Sequence, residues 1–300
     1  TDASTSKAVL ERAVERGITL IDTANIYAGG RSEEIIGEAL ATSLRSERDR
    51  LVLATKVGLP AGDGPNASGS SRFHIQHQIE KSLRSLRTDV IDLLWIHTFD
   101  PETPLEETLE TLDILVRQGK VRYVGCSNYR AWETMKALGL SRTRHLVPYQ
   151  AVQLSYSLAD RRIEEEVVPL CLSEGLGIVA YFPLAGGILA GRYLEGVPED
   201  SRASKAPSFR ARTEEDRYRD LAKATADVAR EIGAKPSQAA LSWLIGRPGV
   251  SSAIAGATRP DQVDENVEAA ELELPSDAEA ALEEASRLFL VGERFGDFRL

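Results

Sequence analysis

Four side chains able to carry or share a proton stand at or just past the ends of three short apolar runs. Asp22 closes TLID with Tyr27 just beyond, Lys56 closes VLATK, and His97 closes LLWIH. If those runs are parallel strands, all four groups face one mouth, and such a set suits general acid–base work. Singly, Asp22 reads as a turn cap, Lys56 as a surface charge, His97 as a bonded core histidine and Tyr27 as packing; their joint placement is what speaks for chemistry. A phenol with a pKa of about 10 is a poor acid at neutral pH. An ammonium about 4 Å away, at an effective dielectric near 20, favours its phenolate by up to roughly 4 kcal/mol. Asp22 offsets part of that while keeping Lys56 protonated and aimed. His97 is then left to donate to, or orient, a carbonyl oxygen. The set suits protonation of a carbonyl while a hydride arrives from a bound cofactor, since no side chain supplies one.

The elements that must position these residues alternate in type. Apolar β-branched runs at 18–22, 51–56, 91–97, 121–127, 151–154, 177–182 and 252–256 read as strands. Amphipathic stretches at 32–44, 74–87, 105–118, 131–138, 163–174, 214–232 and 237–246 read as the helices that follow them. This is the pattern of a (β/α)8 barrel in one domain over residues 1–300. The chain opens on a helix at 4–16 with no strand before it, one strand short of eight. An upstream segment of about 20 to 40 residues with the first barrel strand is therefore expected. Irregular stretches at 58–71 and 194–213 follow strand ends, where barrels build their active sites.

The loops after the last two runs suit a phosphate group. YFPLAGGILAGRY brings Gly186 and Gly187, which permit close backbone approach, and the charge of Arg192. GATRPDQVDENV places Thr258 and Arg259 at a helix start, and an arginine there favours a 2′-phosphate, hence NADP(H) over NAD(H). No glycine-rich dinucleotide fingerprint follows a strand.

With 42% hydrophobic and 27% charged residues, the chain can bury a large core. A net charge of −10 disfavours a nucleic-acid partner. No apolar run approaches the about 20 residues of a membrane span, and the charged start does not read as a signal peptide. Cys126 and Cys171 are expected to be reduced core residues, and the protein to be cytoplasmic.

The chain resembles the aldo-keto reductases from its first helix onward. The likeness is carried by GITLIDTANIYAGGRSEEIIGEAL, LVLATKVG, SLRSLRTDVIDLLWIHTFDPETPLEETLETLDILVRQGKVRYVGCSN, VQLSYSLADR, GIVAYFPLAGGILAGRY and IAGATRPDQVDENVEA. The branch is the one that includes bacterial reductases and voltage-gated potassium channel β-subunits. The resemblance implies that Asp22, Tyr27, Lys56 and His97 are the catalytic tetrad, with Tyr27 the general acid. It implies a carboxamide site at Ser127, Asn128 and Gln153, and stacking of Tyr181 on the nicotinamide. Leu184, Gly186 and Arg192 are placed along the pyrophosphate, with Phe182 and Pro183 in the same loop. Gly256, Thr258, Gln262, Glu265 and Asn266, beside Arg259, fall around the adenosine end. Phe182 departs from the serine of many relatives, which puts one phosphate or ribose contact in doubt.

The leading expectation is a carbonyl reductase; the alternative is a cofactor-binding regulatory subunit like the channel partners, which by the resemblance depart from histidine at the position of His97. A metal-dependent hydrolase fails for want of ligand clusters, since His74 and His77 stand alone. Asn66, Ser68, Ser70 and Ser71 suit a hydroxylated carbonyl substrate such as a keto-sugar. Glu164–Glu166 reads as a solvated helix face, Trp95 and Trp132 as packing, and Phe295 and Phe298 as closing a pocket or an interface between copies of the chain.

Overall fold

The computed structural model describes residues 2–199 and 201–292, so Phe295 and Phe298 lie outside the described residues. Among the described residues there are seven strands: β1 (Leu20–Asp22), β2 (Val52–Val57), β3 (Ile91–Ile96), β4 (Val121–Ser127), β5 (Ala151–Ser155), β6 (Gly177–Tyr181) and β7 (Val250–Ile254). Strand order is chain order. β1 to β5 pair successively in parallel, and β6 pairs in parallel with β7. Parallel neighbours joined by helices are the (β/α)8 barrel arrangement that the sequence implies.

Two compact units are distinguished. The first holds the chain up to Gln153 with Glu174–Gly177 and Ala257–Val263; the second holds Leu154–Ser173, Ile178–Gly256 and the chain from Asp264 onward. In the first unit, β2 and β3 are buried over nearly their whole length, as strands covered on both faces must be. Register places Lys56 beside Trp95, Trp95 beside Gly125, and Gly125 beside Ala151. Ser127 pairs with Gln153 further up the same sheet. Because side chains alternate, Trp95 and His97 share a face, as do Gly125 and Ser127. In the second unit, Arg161 is clamped by Glu164, Glu283 and the Ser286 hydroxyl and lies over the Trp243 ring, which docks helix Ser276–Ala285.

The elements depart from expectation in specific places. The last strand runs from Val250 to Ile254, two residues before the expected span, which leaves Gly256 in the following loop. Helix Ala131–Arg144 continues six residues past 138, over Gly139, whose missing Cβ faces open space, and stops at His145 in a left-handed conformation. The stretch 163–174 divides into a turn, Arg162–Glu164, and helix Val167–Glu174. Glu164 is therefore no solvated helix residue: it receives Arg161 through both oxygens and the Tyr156 hydroxyl at 2.9 Å. The stretch 194–213 is not wholly irregular, since helices Arg202–Lys205 and Pro207–Glu214 lie within or across it, the second entered at Pro207, whose fixed φ suits a first helical turn.

Helix Arg31–Ala41 crosses the end of helix Arg72–Ser85 at Gly37, where a Cβ would lie 2.1 Å from the Ser85 carbonyl oxygen. Gly37→Ala is expected to cost about 1–3 kcal/mol by overpacking. Urea unfolding measures it, and an unchanged midpoint would contradict so close a crossing.

Candidate active site

β1 ends on Asp22, and the chain then turns through Tyr27–Gly30, where Ala28, Gly29 and Gly30 all take positive φ, to enter helix Arg31–Ala41. That reversal leaves Tyr27 at the rim, 41% exposed. Lys56, 1% exposed, rises from β2 and forms an ion pair with Asp22 Oδ1. The same ammonium donates to the Thr23 carbonyl at 2.8 Å and lies 4.9 Å from the centre of the Tyr27 ring. His97 directly follows β3, its ring 5.9 Å from that of Tyr27 and set edge-on. The structure thus brings the four expected proton carriers together.

Two further groups hold Asp22. Trp95 Nε1 and Gln153 Nε2 each donate to its Oδ2 at 2.9 Å. Trp95 is thus more than packing. Its place two residues before His97 was the sequence signal, because alternate strand residues share a face. Gln153 sits on Asp22 here, and Asn128, with left-handed backbone, donates through Nδ2 to the His97 carbonyl at 3.0 Å and to Ser127 Oγ at 3.1 Å.

His97 is buried beside the Lys56 ammonium. Burial first, and the neighbouring positive charge second, push its pKa down to about 3, so its ring is neutral over the ordinary pH range. Its Nδ1 makes no protein hydrogen bond.

The loop over residues 58–71 is tied down at its far end. Asp100 Oδ2 accepts the Ser70 N–H and the Thr103 hydroxyl, both at 2.7 Å, and a Cβ on Gly69 would come within 2.7 Å of that oxygen. Ser70 is buried and Ser71 caps helix Arg72–Ser85 through the His74 N–H. Of the four polar residues expected to face a substrate, only Asn66 and Ser68 are exposed. His74 is buried with Nδ1 3.0 Å from the Asn66 carbonyl, and His77 stacks on Phe73. Among the described residues no group of three metal-ligating side chains gathers. Cys126 and Cys171 are buried and neither is in a disulfide, and Trp132 stands exposed with its ring against Phe99.

The residues expected at a cofactor fall in both units. In the first, besides Ser127, Asn128 and Gln153, Thr258 donates N–H and hydroxyl to Gln262 Oε1, and the exposed Arg259 pairs with Asp261 at 3.0 Å. In the second, Tyr181 ends β6, and Phe182, Ala185, Gly186 and Gly187 take positive φ in the loop that holds Pro183 and Leu184. Arg192 is exposed beyond it. Gly256 has no atom within 4 Å of the place of a Cβ, Glu265 pairs with Lys235, and Asn266 lies in helix Pro260–Glu271.

The sequence pattern of the Aldo/keto reductase family matches residues 1–287, and the chain belongs to that family. Membership places it among oxidoreductases that reduce carbonyl groups with a nicotinamide cofactor. It is 36% identical over 282 residues to the uncharacterized oxidoreductase YrpG of Bacillus subtilis, covering 91% of this chain and 84% of that protein. A putative voltage-gated potassium channel subunit beta of Schizosaccharomyces pombe is also 36% identical, over 90% of this chain and 80% of its own length. The L-glyceraldehyde 3-phosphate reductase of Escherichia coli strain K12 is 34% identical, over 88% and 78%.

An imidazole kept neutral in the fold takes its proton only in the unfolded chain, so its contribution to stability is complete above about pH 6.5 and is lost as pH falls towards 3. Acidification over that window should destabilise the native protein more than His97→Gln. An NMR titration of His97 with a midpoint near 6.5 would contradict this reading.

Proposed function

We propose that the chain is an NADP(H)-dependent reductase of aldehydes or ketones, with Tyr27 as the general acid. The observation that carries this reading is the buried Lys56–Asp22 pair beneath Tyr27, beside a neutral His97. When bound, the nicotinamide supplies the hydride. Tyr27 donates its proton to the substrate oxygen, and the Lys56 ammonium stabilises the phenolate left behind. Asp22 holds that ammonium charged and aimed. His97, neutral with a donor nitrogen, orients the carbonyl oxygen and adds no charge beside that of Lys56.

For the cofactor, Ser127, Asn128 and Gln153 suit an amide partner and Tyr181 a stacking surface. The backbone turns through Phe182, Pro183, Leu184 and Gly186, with Arg192, suit a pyrophosphate. Gly256, Thr258, Gln262, Glu265 and Asn266 suit the adenosine. Arg259, exposed at a helix start, suits the 2′-phosphate. The substrate class that fits best is a hydroxylated carbonyl, supported by the exposed Asn66 and Ser68 and by the name of the Escherichia coli relative. Its place of action is proposed as the cytoplasm and its partner as further copies of itself; among the described residues no helix is long and apolar enough to cross a membrane. The channel-subunit relatives support a second reading, a cofactor-binding regulatory subunit with little turnover.

Fluorescence quenching with NADPH and NADH, followed by addition of an aldehyde, separates the two readings. Oxidation on aldehyde addition supports the reductase; binding without oxidation of any aldehyde, ketone or keto-sugar in a broad panel supports the regulatory subunit. Tyr27→Phe is expected to abolish turnover while NADPH binding stays within about twofold, because the lost hydroxyl acts only in proton transfer. Arg259→Ala is expected to weaken NADPH by about tenfold and leave NADH unchanged, since only the first carries the 2′-phosphate. Equal losses for both cofactors would remove Arg259 from that role.

A further inference from the structure

We propose that Trp95 is a positioning residue of the proton-handling site, its indole N–H fixing the Asp22 carboxylate in the orientation that presents Oδ1 to Lys56. Three observations point the same way. The indole of Trp95 is wholly buried and its N–H ends on Asp22 Oδ2 at 2.9 Å, so the same carboxylate that pairs with Lys56 also satisfies this donor. The ring has a seat made for it: Gly125, its neighbour in register on β4, would bring a Cβ within 2.5 Å of Cζ3 and 2.6 Å of Cε3. And Lys56 is its neighbour in register on the other side, so a rigid bicyclic side chain stands between the glycine it rests on and the ammonium whose partner it holds. A side chain that merely filled the space between β2 and β4 would need no donor aimed at the buried carboxylate. Gln153 is the second donor to Oδ2, but its amide ends a flexible chain, whereas the indole N–H has its direction set by the ring.

The role divides into a contact and a kinetic consequence, and only the second rests on the carbonyl-reductase reading. For the contact, the chain has three tryptophans and so three indole N–H resonances. Exposed Trp132 should exchange fast; Trp243, bonded to Glu283, and Trp95 should be protected. Asp22→Ala should deprotect one of the two slow resonances and leave the other, the one that Trp95→Phe does not remove. If both stay protected, the bond to Asp22 is not what holds the indole, and the proposal falls whatever the enzyme does.

For the consequence, Trp95→Phe keeps a ring on the Gly125 seat and removes the donor. It should lower kcat by about tenfold while KM for the aldehyde and the Kd of NADPH stay within about twofold, the split expected when a transition-state contact loosens and binding does not. A native kcat in a folded Trp95→Phe protein would overturn the proposal, as would equal changes in kcat and Kd. If the unaltered protein binds NADPH but reduces nothing, the reductase reading fails by itself and the exchange measurement still decides the contact. Should Trp95→Phe not fold, the slow resonance that Asp22→Ala deprotects but Glu283→Ala does not carries the decision alone.

Discussion

A lysine ammonium and an aspartate carboxylate, 1% and 4% exposed, meet between β1 and β2, and neither tolerates the absence of the other. Taking such ions out of water costs several kcal/mol each, and removing one partner of a buried pair typically costs about 3–5 kcal/mol. Further hydrogen bonds on both ions sustain the pair. The Thr23 carbonyl takes a second ammonium proton, and Trp95 with Gln153 fills the far oxygen of the carboxylate. Partners from β2, β3 and β5 converge on the one carboxylate that ends β1, which ties the register of these strands to a single electrostatic demand.

The same ammonium sets the state of its other neighbours. It leaves His97 little reason to accept a proton, since burial already opposes the charge and Lys56 opposes it further. The imidazole is therefore a dipole beside an ion, and Tyr27 is the most exposed member of the group. A site arranged this way keeps its fixed charge at the bottom and its phenol at the opening, the order that the proposed proton transfer from Tyr27 requires.

Much of this was legible in the chain and some was not, for physical reasons. Asp22, Lys56 and His97 were visible because each closes an apolar run, and the end of a buried strand is the first place where a charge can meet a cavity. Trp95 was visible in principle by its spacing of two from His97, but indole reads as bulk unless the donor's target is known. Asp22 as the partner of Gln153 was invisible, because the two are 131 residues apart and three strands stand between β1 and β5 in the sheet. β7 starts two residues before the expected span because Val250, directly after Arg247–Pro248–Gly249, already pairs with Ile178, while the polar Ser251 and Ser252 interrupt the apolar run that marks a buried strand. The helix Pro207–Glu214 hid in a charged stretch whose helix-forming residues lack an apolar stripe, so periodicity could not find it. Glu164 looked like one of three solvated acids; the kink between Arg162–Glu164 and the next helix is what turns it inward to Arg161.

Asp100 is the fixed point between the loop over residues 58–71 and the segment that follows β3. Its one oxygen Oδ2 takes the Ser70 amide and the Thr103 hydroxyl, and the bare Gly69 lies against it. The two segments are thus sewn by a carboxylate that belongs to neither the strand nor the loop tip. This loop moved into a relative would arrive without its anchor unless Asp100 and Thr103 travelled with it, so the exchangeable unit of this mouth is a pair of segments and their seam, not a single loop.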